Sequence, residues 1–427
     1  MAIYDSNDKI QKWRYIVKSL KIIINGEETT IPNERVSSIT IVDDYLEYLY
    51  PIFQIQMVLS STTYYNIQKN KNNVQIFLRI DKYYYYDDKG AKADGNRQSC
   101  SKIWINDTFE IVMDEDTGNL NSALEKEEMK QDYTKVTKDH SDELDKVDNG
   151  VTFYLYKTLT KLKKNVNKVF TKANVTDAIV YLMTQANIKN VIMQQPDNVT
   201  LYDTFVIPPL SISKALYWID TYYGLYKYGT IFFSDFDYFY IIPFDGSNRT
   251  AFIRGDEKYT YFVIPSSSSD HSSESGVLKK KSANGNYIIG NSKSVNISNS
   301  SISNDLIKGS DATVVDSFTG QSSTTASKTK TKSTATEKVT TNKTENSYYT
   351  SMQTAIANSL STVIDFTAVD YDIDMIKPNK MFMMLFEDSE YTKKYMGGYI
   401  VSKCTHSFIK EGDSLMLQSQ ITVRKMK

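Results

Sequence analysis

The sequence predicts an α+β protein that is mostly β, with two small β-barrel-like units, an α/β insertion domain and a low-complexity linker or arm. Three observations carry this reading. Apolar and polar residues alternate in short runs between turn signals over residues 13–114, and again over residues 351–427. Helical spacing is confined to short stretches, the clearest of them in the middle of the chain. From 265 to 350 the composition shifts to Ser, Thr, Asn and Lys. A chain of 427 residues has room for about two to four units, since domains run ~100–200 residues.

The elements follow in order. Asn25-Gly26 is a short-hairpin signal inside KIIINGEETTI. Residues 36–42, 51–60, 74–85 and 103–113 read as further strands, with a short helical bridge at 62–69. Strands of this length without a long helix suggest a small barrel or sandwich over 1–118. The Tyr83–Tyr86 run reads as a strand covered on both faces, ahead of a recognition surface. Residues 119–150 are rich in Lys, Glu and Asp and read as a charged connector.

Residues 151–264 form the insertion. Six lysines lie within 157–172, and Leu155, Leu159, Leu162, Val166 and Val169 fall on one helical face opposite most of them. This is an expected amphipathic helix, read as a solvated face over a core stripe ahead of a membrane- or DNA-binding surface. Residues 174–186 are a clearer helix, with Thr176 expected as N-cap and Asp177 favourable to the dipole. Ser213 is the expected N-cap of a helix over 214–223, which carries Trp218, and Gly224 its left-handed stop. A hairpin of strands 225–233 and 238–243 follows. Within 265–350, the arm, 266–275 and 321–346 are low-complexity, while 286–318 retains β signals at 287–289, 295–297 and 314–315. Strands at 381–386, 397–409 and 414–424 make a second unit over 351–427, with Leu415, Leu417, Ile421 and Val423 on one face. That sheet is too small to bury a core alone and is expected to pair with another β unit.

Chemistry is sparse. No phosphate-binding glycine loop, dinucleotide fingerprint, HExxH or GxSxG sequence occurs. The two cysteines, Cys100 and Cys404, have no metal or redox spacing. Of the three histidines, His140, His271 and His406, only the last lies near a thiol, Cys404, and no third group orients the pair. Asp235 and Asp237 flank a tight turn, which explains them without a ligand. Asp370, Asp372 and Asp374 alternate and read as a subunit contact or solvent-facing rim ahead of a Ca²⁺ site, because no glycine-centred loop accompanies them. No catalytic, cofactor-binding or metal residue is therefore assigned. A net charge of −1 argues against a dedicated nucleic-acid binder. The polar start and the lack of a long apolar run argue against export and stable membrane insertion. Tyr, at 32 residues, suits surfaces covered by other subunits, although an AT-rich coding sequence produces the same bias.

The stretch LYDTFVIPPLSISKALYWIDTYYGLYKYGTIFFSDFDYFYIIP resembles the helix-hairpin module of bacteriophage contractile-tail baseplate hub proteins. KNVNKVFTKANVTDAIVYL and the closing MGGYIVSKCTHSFIKEGDSLMLQSQITVRK resemble other parts of the same family. The resemblance implies a structural virion protein of the tail baseplate, assembled in the host cytoplasm. It implies a homotrimer that joins the tail tube protein to the central spike protein and touches other baseplate proteins. DNA would only pass through its channel. Two barrels in each of three chains would let a threefold object meet a sixfold tube. The competing readings are a β-rich surface or secreted adhesin, and a tail-associated cell-wall hydrolase.

Overall fold

Two residues set the first turn. Asn25 and Gly26 take φ of 51° and 90°, the two-residue turn whose twist matches a hairpin. It joins β1 (Ile10–Ile24) to β2 (Glu27–Thr30). The computed structural model describes residues 9–86, 102–116, 148–156, 160–226, 230–235, 237–244, 260–266, 275–279, 285–298, 312–316, 322–325, 337–341, 362–387, 392–411 and 414–425. His140, His271, Cys100 and most of the charged connector lie outside them.

β3 (Val36–Asp44), β4 (Ile52–Ser60), β5 (Val74–Tyr86), β6 (Lys102–Asp116) and β7 (Asp148–Tyr156) follow. α1 (Ser61–Lys69) bridges β4 to β5, capped by the Ser60 hydroxyl, which accepts from the Thr63 N–H. Alternation does the sorting: Phe53, Ile55, Met57 and Leu59 of β4 are all buried. The Tyr83–Tyr86 run ends β5. It is half-exposed rather than covered on both faces, with Tyr84 leaning on Trp13 at 5.2 Å.

The insertion holds β8 (Asn165–Ala173), α2 (Val175–Gln185), β9 (Val191–Met193), β10 (Tyr202–Ser211), α3 (Ile212–Tyr222), β11 (Thr230–Ser234) and β12 (Phe239–Pro243). Three expectations are corrected here. Over its described part, 160–172, the lysine-rich stretch is not one helix: after one turn at Thr160–Lys163 it becomes β8, paired with β10. Its β-branched Val166, Val169 and Thr171 suit a pleated strand better than a helix. The N-cap of α2 is Asn174, not Thr176, in a reciprocal capping box with Asp177. The N-cap of α3 is Ser211, not Ser213. Gly224 does take φ 68°.

β13 (Thr260–Ile264), β14 (Gly276–Lys279), β15 (Asn286–Ile289), β16 (Asn296–Ser298), β20 (Val363–Val369), β21 (Phe382–Phe386), β22 (Gly397–Glu411) and β23 (Ser414–Lys425) build the second unit. β17 (Ala312–Asp316), β18 (Ser322–Thr325) and β19 (Glu337–Thr341) pair with one another in a separate small sheet. Two circuits of strand pairing emerge. One runs β1–β5–β6–β7–β4–β3–β22–β23 and returns to β1. The other runs β20–β23–β22–β21–β13–β15 and closes where Gly290 bridges Ala368. Strand pairing thus redraws three expected boundaries. β7 belongs to the first barrel, and β13 to the second. Residues 276–298, expected as part of an extended arm, supply strands of the second barrel.

The β11–β12 hairpin divides the insertion from the barrels and is buried on both faces. Ile231, Phe233, Tyr240 and Ile242 join the barrel core, while Phe232, Phe239 and Ile241 join the helix core. A two-sided strand reads as a continuous apolar run, which is why TIFF and FYIIP stand out in the sequence.

Candidate functional site

The two barrels share a wall, and the longest strands make it. β22 pairs with β21 through 397–399 and with β3 through 403–409. β23 pairs with β1 through 415–416 and with β20 through 418–424. A bulge in β22 between Val401 and Lys403 falls where it changes partner, and a bulge bends and twists its strand. Leu415, Leu417, Ile421 and Val423 point inward, at 0–6% exposed. The small C-terminal sheet therefore gains its core by sitting in both barrels at once. Gly290 makes the second barrel's seam possible: a Cβ there would stand 2.6 Å from Ile264 Cδ1 and 2.9 Å from the Phe366 ring.

Beside this wall lies a knot of charges. Asp370, Asp372 and Asp374 do not alternate on a strand. Asp370 takes φ 59° just after β20, and the others flank or sit in a 3₁₀ turn, Ile373–Met375. Arg14 of β1 donates to Asp370 and also reaches Glu411 at 2.9 Å. Lys82 of β5, its side chain 1% exposed, donates to both Asp372 and Asp374. Lys377 joins Asp374 at 3.5 Å to Asp235 of the insertion at 3.0 Å. The expected rim or subunit contact is thus replaced by ion pairs within the chain, which offset the repulsion of neighbouring carboxylates. Burial raises the Asp374 carboxyl, but Lys377 and Lys82 outweigh it and hold it below its usual value. Burial prevails at Asp370, which is raised despite Arg14. Lys377 is opposed by burial, yet Asp235 and Asp374 raise it.

Asp235 is a turn residue and a clasp together. Its Oδ1 accepts from the Asp237 and Tyr238 N–H groups at 2.8 and 2.6 Å, the side-chain turn that Asp favours. Its Oδ2 takes the Tyr240 hydroxyl and Lys377. Asp237 is exposed and lines, with Lys161, Lys189 and Phe53, a cleft of about 280 Å³ between insertion and first barrel.

His406 has partners that sequence reasoning missed. Its Nδ1 lies 2.8 Å from Ser419 Oγ and 3.2 Å from the Tyr371 hydroxyl, and its Nε2 lies 3.4 Å from Asp43 Oδ2. Cys404 is not among them; burial, then Asp43, raises its thiol. Ser419, His406 and Asp43 are ordered like a nucleophile, base and orienting carboxylate. However, Ser419 and His406 are 0% and 1% exposed, and Ser419 also accepts from Tyr371 at 2.7 Å. The arrangement ties β3, β22, β23 and the 371 turn together without an approach for a substrate. Only strand register could have revealed it, since Ser419 faces His406 across the hairpin. Among the described residues no cluster of three or more His, Cys, Asp or Glu side chains is placed to hold a metal.

Comparison with known proteins agrees with this architecture. The model of the bacteriophage PBS1 gene 109 protein family matches residues 7–426. No curated protein matches. The fold is similar to the tail protein from Neisseria meningitidis MC58, with TM-score 0.52 and 10% identity over 96% of this chain and 97% of that one. It also aligns with the 43 kDa tail protein of prophage MuSo2 from Shewanella oneidensis, with TM-score 0.49 and 10% identity over 95% and 96%. The chain belongs to the bacteriophage PBS1 gene 109 protein family.

Proposed function

We propose that this phage protein is a structural component of the tail, and within the tail the baseplate hub: a ring of three chains joining the tail tube to the central spike. The observation that carries the reading is the fusion of two barrels through one shared hairpin. A chain with two barrels locked side by side offers two similar wall segments, and three such chains offer six. That solves the mismatch between a threefold spike and a sixfold tube by construction, since ring closure depends on the rotation between adjacent segments. The likeness of fold to the Neisseria tail protein supports a tail role. Other baseplate proteins would contact the outside of the ring, and DNA would only pass through its channel. Assembly would take place in the host cytoplasm.

In this reading the protein acts by rigidity rather than by chemistry. The charge knot and the buried His406 network fix the angle between the barrels, which sets whether the ring closes. The test is complementation of a tail-assembly defect, scored by electron microscopy for complete tails. Leu417→Asp and Ile421→Asp place a carboxylate at fully buried positions of the shared wall, at several kcal/mol, and should abolish complete tails. Asp237→Ala, at an exposed turn position, should leave them intact. Intact but non-infective particles from Asp237→Ala or His406→Ala, together with normal assembly of the strand variants, would overturn the scaffold reading and favour an enzyme.

A further inference from the structure

Six strands join the two barrels in one continuous sheet, β7–β4–β3–β22–β23–β20. Its inner face is core, and strand register lays its outer face out in rows. The middle row runs Tyr154, Gln54, Thr40, Ser407, Gln418 and Val369, each opposite the next across one strand pair. On one side Thr405, Gln420 and Thr367 belong to a second row, and on the other Thr152, Gln56 and Ser38 belong to a third. All of these residues are half-buried or exposed. Their neighbours along the strands, such as Ile41, Ile55, His406 and Ser419, are buried.

None of the three rows carries a charged residue, in a chain of which 24% is charged. Charges begin one row beyond Thr405 and are partnered there. Lys403 meets Asp44 at 3.5 Å, and Asp365 accepts from the Thr422 hydroxyl at 2.5 Å. Amides and hydroxyls hold the middle of the face, where the centre of a protein interface would be apolar. Such a surface stays wet and attracts neither sign of charge. Lysine and arginine would hold DNA by releasing its counterions, and a field of carboxylates would repel it.

We propose that this outer face lines the channel of the ring and is the surface that duplex DNA slides past. The inference rests on the hub reading. The sheet crosses from the first barrel to the second without a break, so three copies can surround an axis with one uncharged wall. A conduit that must let a polyanion go is served by side chains that form no ion pair with phosphate, and these rows hold only such side chains. The competitor is a face covered by another protein, which the polar centre argues against.

The experiment places lysines on the face and times DNA ejection from purified particles built with the variant chain, triggered by host envelope and followed with a DNA-binding dye. Gln54→Lys/Gln418→Lys/Gln420→Lys puts three lysines in each of three chains. That falls within the ~6–10 phosphate contacts that hold DNA at low salt and release it between about 50 and 200 mM. The expected result is complete tails whose ejection is slowed at least about tenfold at low salt and recovers at high salt. The pair Gln418→Lys/Gln420→Lys, both at exposed positions, repeats the test if Gln54→Lys lowers the melting temperature. Gln418→Glu/Gln420→Glu should eject at the wild-type rate, and so should Val180→Lys/Thr184→Lys, at exposed positions of α2 in the insertion. Wild-type ejection by the lysine variants would overturn the proposal, as would equal slowing by the glutamate variant. A folded lysine variant that no longer enters tails would overturn it in favour of a protein contact. Electron cryomicroscopy of the same particles separates the two readings. A three-copy ring with unaltered ejection would sink this inference alone, and the absence of a ring would sink the hub reading with it.

Discussion

Lys82→Met removes the cation at the centre of the charge knot while keeping the side chain's length. Lys82 is 1% exposed and donates to Asp372, itself 14% exposed, and to Asp374, 30% exposed. Removing one partner of a buried pair typically costs ~3–5 kcal/mol, because the remaining charge is left uncompensated. Asp374 is the more exposed carboxylate and keeps Lys377 at 3.5 Å, which places the cost near the lower end, about 3 kcal/mol. Part of that is the contact of the ammonium with the Trp13 ring, 5.3 Å from its centre, at ~0.5–2 kcal/mol. Urea unfolding followed by tryptophan fluorescence measures it, since Trp13 packs directly on the site. The triple variant Lys82→Met/Asp372→Asn/Asp374→Asn should recover most of the loss, because a neutralised cluster leaves no buried charge unpaired. A single variant within about 0.5 kcal/mol of wild type, the range of ordinary surface changes, would refute the reasoning. So would a triple variant no more stable than the single.

Other expectations follow from the same geometry. The Asp374 carboxyl is held low in the folded state, so its stabilisation is present above the ordinary carboxylate pKa and is lost as pH falls through the lowered folded value. Asp374→Asn should therefore cost stability at neutral pH, with its difference from wild type shrinking only as pH falls below the ordinary carboxylate value of about 3.9 and through the lowered folded one; parallel pH profiles would contradict this. Gly290→Val should destabilise by ~1–3 kcal/mol through overpacking against Ile264 and Phe366 at the second-barrel seam, read as a fall in melting temperature. Gly224→Val should cost at least ~1–2 kcal/mol, the penalty for a side chain at positive φ. Trp218→Ala should cost less than a fully buried ring would, because Trp218 is only half-buried against Tyr222 and Tyr223.

What the sequence made legible follows the range of the interaction. The Asn25-Gly26 turn, the α1 bridge and the alternation of Leu415 to Val423 are local signals, and each appears as read. The caps lie two residues before the expected positions, because Asn174 and Thr176, or Ser211 and Ser213, can each accept a capping N–H. Choosing between them depends on where the preceding strand ends. The lysine stretch misled because Val166 and Val169 fit a helical face as well as a pairing with β10. The sharing of β22 and β23 between barrels, and the meeting of Asp43, His406 and Ser419, depend on register across hundreds of residues. Nothing in the local pattern of Asp370, Asp372 and Asp374 announced Arg14 and Lys82 as their partners.

The proposed role requires that two fused barrels in each chain build a closed ring on the tail axis. The most direct measurement is electron cryomicroscopy of the tail tip without imposed sixfold symmetry. The expected result is three copies around the axis, with six barrel positions against the tube and the spike on the opposite side. Six copies at that level, or density for this chain away from the axis, would contradict it.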